Sequence, residues 1–126
     1  MNATIWHNPN CSKSRDALRF LSDAGHDVTV VLYQDAGLTI EALERLMDGA
    51  GISASTLLRP DAQKGLEAAD TAEVLAHLIA HPESLERPFV QTERGIRLAR
   101  PIEALVDIVD PLPPSPWMTE KGELVL

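Results

Sequence analysis

Apolar residues change their spacing twice within the first 33 positions of this chain. Residues 4–6 form a short strand-like run that ends in the polar, turn-rich residues 7–10. From Ser12 the apolar residues recur at helical spacing as far as Gly25, where a helix commonly stops. Residues 28–33 are then a β-branched run that is typical of a buried parallel strand. A strand, a helix and a strand over about thirty residues predict one right-handed βαβ unit.

Helices and then a hairpin are predicted for the next part of the chain. Thr39 is placed to cap a helix that ends near Gly51. Asp70 begins another helix, and Glu73, three residues later, completes a pattern that resembles a capping box. Two short apolar runs within residues 89–98 flank a polar segment and predict a β-hairpin.

The order of these segments predicts an α/β fold with a mixed four-stranded sheet flanked by helices, a pattern that resembles the thioredoxin-like fold. Pro101 begins the last predicted helix of this domain, which spans residues 1–110. Residues 111–126 start with four closely spaced prolines and predict an extended, proline-rich C-terminal tail. Trp117 is the candidate anchor of that tail.

Gross composition narrows the class of protein. A chain of 126 residues is one domain by the usual length relation and is long enough for a single core. Its net charge of −8 argues against a nucleic-acid partner, and no apolar run approaches the roughly 20 residues that a membrane helix needs. The single cysteine suits a reducing compartment, and the first residues lack the basic stretch of a secretory signal. We therefore expect a cytoplasmic protein without a membrane partner, and we expect a monomer.

Positive charge is concentrated in one stretch of this acidic chain. Four of the eight arginines lie within fourteen residues, at positions 87, 94, 97 and 100. One interpretation is a solvated edge strand that carries protective charges. The other is a local anion site, because exposed charges more than about 8–10 Å apart are screened and a local cluster then outweighs the net charge.

The only cysteine, Cys11, lies where a strand-exit loop becomes a helix. A lone cysteine is most often a small buried hydrophobe. With Asn10 as a candidate N-cap, however, Cys11 falls in the first helical turn, where free backbone N–H groups and the positive end of the helix dipole face the sulfur. It also begins a Cys-x-x-Ser sequence ending at Ser14, in which a hydroxyl replaces the second thiol of a redox motif. This pattern favours monothiol chemistry.

The helix start alone does not ionise such a thiol at neutral pH. An ordinary cysteine with a pKa of about 8.5 is only a few per cent thiolate there. A helix terminus contributes about 0.3–1 kcal/mol, which is less than one pKa unit. A useful thiolate therefore needs nearby cations, and Lys13, Arg15 and His7 are close in sequence. His7 has the alternative of a structural, hydrogen-bonded role.

The segment around this cysteine resembles the active-site segment of the glutaredoxin-coupled arsenate reductase family. The resemblance rests on a His-Asn-Pro-x-Cys run, a Ser-Arg pair and three later arginines in the same order as in that family. These are His7 to Cys11, then Ser14 and Arg15, then Arg59, Arg87 and Arg100. The resemblance spans roughly residues 4–109 and implies the thioredoxin-like fold.

What the resemblance implies is an oxidoreductase that converts arsenate to arsenite in arsenical resistance. The thiolate of Cys11 would attack arsenate and form a thiol–arsenate adduct, which glutathione then attacks. Glutaredoxin with glutathione would clear the mixed disulfide that results. Glutathione is thus implied as a co-substrate, glutaredoxin as a partner, and no tightly bound cofactor is expected.

The same resemblance assigns roles to the other residues of the pattern. Three arginines would bind the oxyanion and stabilise its transition state, namely Arg59, Arg87 and Arg100. Three residues would support the thiolate or bind substrate, namely His7, Ser14 and Arg15. The bond between Arg87 and Pro88 would be the cis-proline turn that faces the cysteine. Independently, three guanidinium groups suit an arsenate dianion and a thiolate, which together carry three negative charges.

Two alternatives stay open on the sequence. Cys11 is followed by Ser12 and Lys13, and this Cys-Ser-Lys-Ser-Arg form resembles one branch of the family. One alternative is a glutathione-dependent thiol oxidoreductase that keeps Cys11 and uses the arginines for glutathione carboxylates. The other is an Spx-like non-enzymatic regulator that binds RNA polymerase. Such regulators typically have a second cysteine where this chain has Ser14.

A metal site is not expected. His77 and His81 are spaced i, i+4 on a predicted helix, but no nearby cysteine or third histidine completes a set of ligands. A solvated helix face is the preferred interpretation of this pair.

Overall fold

Four strands form one mixed sheet in the order β2-β1-β3-β4. The computed structural model describes residues 1–126. The central strand β1 (Asn2–Trp6) pairs in parallel with β2 (Asp27–Val31) and antiparallel with β3 (Phe89–Thr92). A tight hairpin connects β3 to β4 (Gly95–Leu98). The predicted mixed four-stranded sheet is confirmed.

Five α-helices and three 3-10 segments connect and cover the strands. The α-helices are α1 (Ser12–Asp23), α2 (Tyr33–Ala36), α3 (Ile40–Ala50), α4 (Pro60–Gln63) and α5 (Thr71–Ala80). The 3-10 segments are Ala54–Leu57, Pro82–Ser84 and Ile102–Asp107. No helix has the length and apolar character needed to span a membrane.

Each face of the sheet has its own apolar core, because successive strand residues point to opposite sides. Ile5 and its cross-strand partner Val90 belong to the core under α1. The next pair, Trp6 and Phe89, belongs to the core under α3 and α5. The sheet is therefore covered by helices on both faces.

The predicted helix starts at Thr39 and Asp70 are confirmed. The Thr39 hydroxyl accepts a hydrogen bond from the Ala42 backbone N–H at 3.1 Å, and the Asp70 carboxylate accepts one from the Glu73 N–H at 2.9 Å. Each side chain thereby satisfies one of the N–H groups that a helix start leaves free. Gly51 ends α3 in the left-handed conformation, with a φ of 66°.

Three local predictions are wrong. The strand β2 lies at the edge of the sheet rather than inside it, and Val30 is 42% exposed. A run of β-branched residues indicates a preference for extended backbone. It does not indicate whether the strand has a neighbouring strand on both sides. Asn10 is not the N-cap of α1, because Cys11 itself is the extended residue before the helix. The last predicted helix is the 3-10 segment Ile102–Asp107.

The C-terminal residues lie against α1. Trp117 is only 4% exposed, and its ring meets that of Phe20 edge-on at a centroid distance of 5.1 Å. Its indole N–H donates to the Asp23 carboxylate at 2.9 Å. The chain then turns back on itself, with a β-bridge between Met118 and Leu124. The proposed boundary between a domain of residues 1–110 and a tail of residues 111–126 stays a prediction.

Candidate active site

Strand register brings three distant parts of the chain to one end of the sheet. Trp6, at the end of β1, pairs with Phe89, at the start of β3, and Phe89 pairs with Leu98, at the end of β4. The loop after β1, the residues before β3 and the residues after β4 therefore lie side by side. These segments carry Cys11, Arg87 and Arg100.

Arginines from both of the other segments lie near Cys11. Its sulfur lies 4.0 Å from Nη1 of Arg100, which also donates a hydrogen bond to the Arg87 carbonyl oxygen at 3.3 Å. The cysteine is 8% exposed, but it belongs to neither of the two apolar cores. The peptide bond between Arg87 and Pro88 is cis, as is the one between Arg100 and Pro101. The sulfur is thus enclosed by polar and cationic groups.

The thiol of Cys11 is shifted toward its ionised form. Burial raises the pKa of this thiol, but the backbone N–H groups of Ser14 and Lys13 and the guanidinium of Arg87 together bring the pKa below its ordinary value. The backbone N–H groups belong to the start of α1, and the guanidinium belongs to Arg87, which is distant in the sequence and precedes β3. Hydrogen bonds and an opposite charge both favour the thiolate.

His7 and Ser14 form a buried pair behind the cysteine. His7 Nδ1 and Ser14 Oγ are joined by a hydrogen bond of 2.6 Å, and Ser14 Oγ also accepts one from the Asn8 backbone N–H at 3.0 Å. Burial, and after it the charge of Arg15, lower the pKa of His7, so its imidazole is neutral at neutral pH. His7 is therefore no cation for the thiolate. It holds Ser14, whose backbone N–H faces the sulfur.

Arg15 is tied to two neighbouring segments. Its guanidinium makes a two-point contact with Glu120, with distances of 3.1 Å and 2.7 Å, and donates to the Pro9 carbonyl oxygen at 2.9 Å. The active-site loop and the C-terminal residues are thus joined through one side chain. The Arg15 side chain is exposed and makes no hydrogen bond to Cys11, whereas the Arg15 backbone N–H donates to the Cys11 carbonyl oxygen at 3.0 Å within α1.

Arg59 lies at the same end of the molecule. Its backbone N–H donates to the Ser84 carbonyl oxygen at 2.9 Å, which places it beside the chain that leads to Arg87. Its side chain makes no hydrogen bond to Cys11, and its Nε lies 3.5 Å from a carboxylate oxygen of Asp61.

The arginine cluster of residues 87–100 divides into two sets. Arg94 lies in the hairpin turn and pairs with Asp110 at 2.9 Å, and Arg97 donates to the Ile96 carbonyl oxygen. Neither is at the cysteine. Arg87 and Arg100 flank the hairpin at its other end, and both contact the site. Arg87 and Arg100 therefore stay candidates for an anion site, and Arg94 and Arg97 do not belong to the surroundings of Cys11.

Two residues of this region, Glu86 and Tyr33, were not predicted from the sequence as site residues. The Glu86 carboxylate lies 3.9 Å from Arg87 Nη1 and 3.8 Å from Arg100 Nη1, with its side chain 14% exposed. The Tyr33 hydroxyl and the Arg87 Nε are buried without a hydrogen-bond partner. Burial raises the pKa of the Tyr33 hydroxyl. The charge of Arg87 lowers this pKa, and the charge of Cys11 raises it. Two sequence features could have indicated them: Glu86 is next to Arg87, and Tyr33 ends a strand-like run.

The site places a thiol of lowered pKa beside guanidinium groups. Guanidinium groups can bind a tetrahedral oxyanion, and a thiolate beside them can attack its central atom. No three histidine, cysteine or acidic side chains are grouped to hold a metal ion. His77 instead contacts the Ser84 hydroxyl at 3.2 Å, and His81 lies 3.4 Å from Glu83.

Known proteins are similar to this chain in sequence and in fold. The ArsC family model matches residues 6–108. An arsenate reductase of Rhizobium meliloti is 36% identical over 132 residues, which covers 100% of this chain and 94% of the relative. One of Escherichia coli is 34% identical over 131 residues, with 99% and 93% covered. The solved arsenate reductase from Vibrio cholerae superimposes with a TM-score of 0.78 at 31% identity, over 86% of this chain and 98% of that one. The chain therefore belongs to the ArsC family and has its thioredoxin-like fold.

Proposed function

We propose that this protein is an arsenate reductase in which the thiolate of Cys11 is the nucleophile, glutathione supplies electrons and glutaredoxin regenerates the thiol. The observation that carries the proposal is one thiol of lowered pKa beside two arginines from remote segments: Arg100 lies 4.0 Å from the sulfur, and the charge of Arg87 lowers the pKa. The proposal is further supported by similarity to arsenate reductases along nearly the whole chain. The mechanism requires a free thiol, which fits a reducing cytoplasm.

Arsenate binding would use the guanidinium groups around the sulfur. Arsenate is largely a dianion at neutral pH, and Arg87 and Arg100 offer planar donors that suit its oxygens. Glu86 lies between these two side chains and holds them in position for the anion. Arg59 is the third candidate, and it would exchange the exposed Asp61 carboxylate for an arsenate oxygen.

In the first step, the Cys11 thiolate attacks arsenic. A sulfur–arsenic bond forms and one arsenic–oxygen bond breaks. The departing hydroxide takes a proton from solvent and leaves as water, so that arsenic stays pentavalent in the adduct. The guanidinium groups stabilise negative charge on the remaining oxygens in the transition state.

In the second step, a glutathione thiolate attacks the Cys11 sulfur of the adduct. A disulfide bond forms, the sulfur–arsenic bond breaks, and its electron pair stays on arsenic, which becomes trivalent and leaves as arsenite after protonation. The two sulfur atoms supply the two electrons. A glutaredoxin thiolate then attacks the glutathione sulfur of the mixed disulfide and releases the Cys11 thiolate.

A coupled assay tests the proposal. Arsenate is added to the protein with glutathione, glutaredoxin, glutathione reductase and NADPH, and NADPH oxidation is followed. We expect arsenate-dependent oxidation that Cys11→Ser abolishes and that Arg87→Ala and Arg100→Ala reduce by about 10²-fold or more, the scale for loss of one oxyanion contact. Arg94→Ala is the matched control, because Arg94 pairs with Asp110 away from the site.

The same assay separates the proposal from its main alternative. If the protein is a thiol oxidoreductase that never handles arsenic, NADPH oxidation will depend on an added disulfide and not on arsenate. That result would reject arsenate as the substrate and leave Cys11 as the nucleophile.

A further inference from the structure

Glu86 places an acidic side chain beside the cations that surround Cys11. Its Oε1 lies 3.9 Å from Arg87 Nη1 and 3.8 Å from Arg100 Nη1, and the side chain is only 14% exposed. The same Nη1 of Arg100 lies 4.0 Å from the Cys11 sulfur. The carboxylate and the sulfur thus lie around one guanidinium nitrogen. An oxyanion that is bound by this guanidinium and attacked by this sulfur lies beside Glu86.

The charge of Glu86 opposes simple attraction of an anion. Arg87 and Arg100 carry two positive charges, and the Cys11 thiolate and the Glu86 carboxylate carry two negative ones. These four groups together leave no net charge to attract a dianion. Repulsion between an anion and a largely buried carboxylate is strong, because little water lies between them to screen it. A site that recognised negative charge alone would therefore be weakened by Glu86.

A free oxygen of Glu86 removes this conflict when the bound anion carries a proton. All contacts of the carboxylate use Oε1, which also accepts a hydrogen bond from the Arg87 backbone N–H at 3.3 Å. Its Oε2 accepts no hydrogen bond from the protein. An ionised carboxylate only accepts hydrogen bonds, so it can pair with an oxyanion only through a hydroxyl group of that oxyanion. The arsenate dianion has one hydroxyl group, whereas sulfate has none.

We infer that Glu86 is a specificity residue that selects protonated tetrahedral oxyanions, such as hydrogen arsenate, over unprotonated ones, such as sulfate. The arginines bind the charged oxygens, and Oε2 of Glu86 accepts a hydrogen bond from the hydroxyl group. Sulfate in the same position brings two acceptors together, and the repulsion is not compensated. This inference rests on the proposed function for the position of the oxyanion. The selection itself does not require that arsenic is reduced.

Phosphate and sulfate test the inference without arsenate. At about pH 8 both are tetrahedral dianions, and hydrogen phosphate differs from sulfate by its one proton. Each anion is added at constant ionic strength in the absence of glutathione, and alkylation of Cys11 by iodoacetamide is followed. The concentration that halves the alkylation rate gives the dissociation constant of each anion. The ratio of the two constants measures recognition of the proton, because the charges of the two anions are equal.

We expect phosphate to bind at least about tenfold more tightly than sulfate, as one charge-assisted hydrogen bond predicts. In Glu86→Gln the ratio should fall toward one, because the amide has no charge and its NH₂ group donates to sulfate. Glu83→Gln is the matched control. It removes the same charge from an exposed side chain three residues earlier, which lies beside His81, and it should keep the ratio of the unmodified protein. Circular dichroism and urea unfolding check that each variant folds.

A purely structural role of Glu86 predicts a different result. If Glu86 only holds Arg87 and Arg100 in place, its replacement weakens the binding of both anions equally and leaves the ratio unchanged. An unchanged ratio in folded Glu86→Gln therefore overturns the inference. Two results on the unmodified protein also overturn it, without any variant. These are sulfate binding as tight as that of phosphate, and a failure of phosphate to protect Cys11.

The coupled assay separates this inference from the proposed function. A protein that shows the expected ratios but does not reduce arsenate disproves the proposed function and leaves the specificity of the anion site standing. Arsenate reduction by a protein with equal affinity for phosphate and sulfate does the reverse.

Discussion

Ionisation of Cys11 depends both on groups that are close to it in the sequence and on one that is distant. The backbone N–H groups of Lys13 and Ser14 come with the start of the helix. The Arg87 guanidinium arrives only because β3 pairs with β1. A helix terminus supplies less than one pKa unit, so the remote cation is needed for a thiolate at neutral pH.

The lowered pKa of Cys11 predicts a pH dependence of both reactivity and stability. Alkylation of Cys11 by iodoacetamide should titrate with a midpoint below that of an ordinary cysteine, and Arg87→Ala should move the midpoint upward. Since the pKa is lower in the folded than in the unfolded state, ionisation stabilises the fold. That contribution is complete above the unfolded-state pKa and is lost as the pH falls through the folded-state pKa.

Urea unfolding measures this contribution. The free energy of unfolding of the protein, minus that of Cys11→Ser, should increase as the pH rises between the two pKa values, because the serine does not ionise there. A difference that is independent of pH would contradict the lowered pKa.

The pair of His7 and Ser14 predicts a stability effect that an exposed serine lacks. Ser14→Ala leaves the His7 Nδ1 and the Asn8 N–H without their buried partner. We expect a loss of about 1–3 kcal/mol in the free energy of unfolding, the usual cost of unsatisfied buried groups. Ser12→Ala is the control, since the Ser12 side chain makes no hydrogen bond, and it should cost much less. Equal losses would show that the pair is not structural.

At the level of elements, α3 is held close to the sheet by a glycine. A Cβ built on Gly49 would lie 2.5 Å from Cδ1, 2.9 Å from Cγ1 and 3.1 Å from Cβ of Ile96 in β4. A rotamer change of Ile96 moves the first two atoms but not its Cβ. The short contact between this helix and this strand therefore requires glycine at position 49, despite its low helix propensity.

This contact predicts that Gly49→Ala is destabilising although alanine is the better helix former. We expect a cost of about 1–3 kcal/mol, the range for overpacking, in chemical denaturation. The double variant Gly49→Ala with Ile96→Ala should show a smaller cost relative to Ile96→Ala alone, because the clashing atoms are gone. The same cost in both backgrounds would assign the effect to the helix and not to its packing.

At the level of the whole molecule, the C-terminal segment completes the core under α1. Trp117 is a member of that core, Val125 and Leu126 pack against it, and the Arg19 guanidinium lies 4.2 Å from the centre of the Trp117 ring. Apolar burial, an aromatic pair with Phe20 and a cation–π contact thus coincide at one side chain. We expect residues 111–126 to unfold together with the rest of the chain.

Trp117→Ala tests this coupling. Removal of a buried tryptophan should cost about 3–5 kcal/mol, the usual range for large-to-small changes in a core. Met118→Ala, next to it and 47% exposed, should cost far less. In the unmodified protein, Trp fluorescence and far-UV circular dichroism should give one common transition. Two separate transitions would mean that the tail is independent.

Much of the fold could be predicted from the sequence, since the predictable features depend on residues close together in the chain. The capped starts at Thr39 and Asp70, the stop near Gly25 and the βαβ unit are of this kind. For the candidate site, the segment around Cys11 was recognisable because its motif is continuous. The edge position of β2 could not be predicted, because its exposure depends on whether another strand pairs with its free side.

By itself, the sequence determined the periodicity of the segments, the helix caps at Thr39 and Asp70 and the position of the thiol at a helix start, since these follow from local sterics and hydrogen bonding. Only the tertiary structure decided which arginines meet that thiol. Arg87 and Arg100 reach it because the register of β1, β3 and β4 aligns their flanking loops, whereas Arg94 lies at the opposite end of the hairpin. Strand register is a long-range property, and no local pattern encodes it.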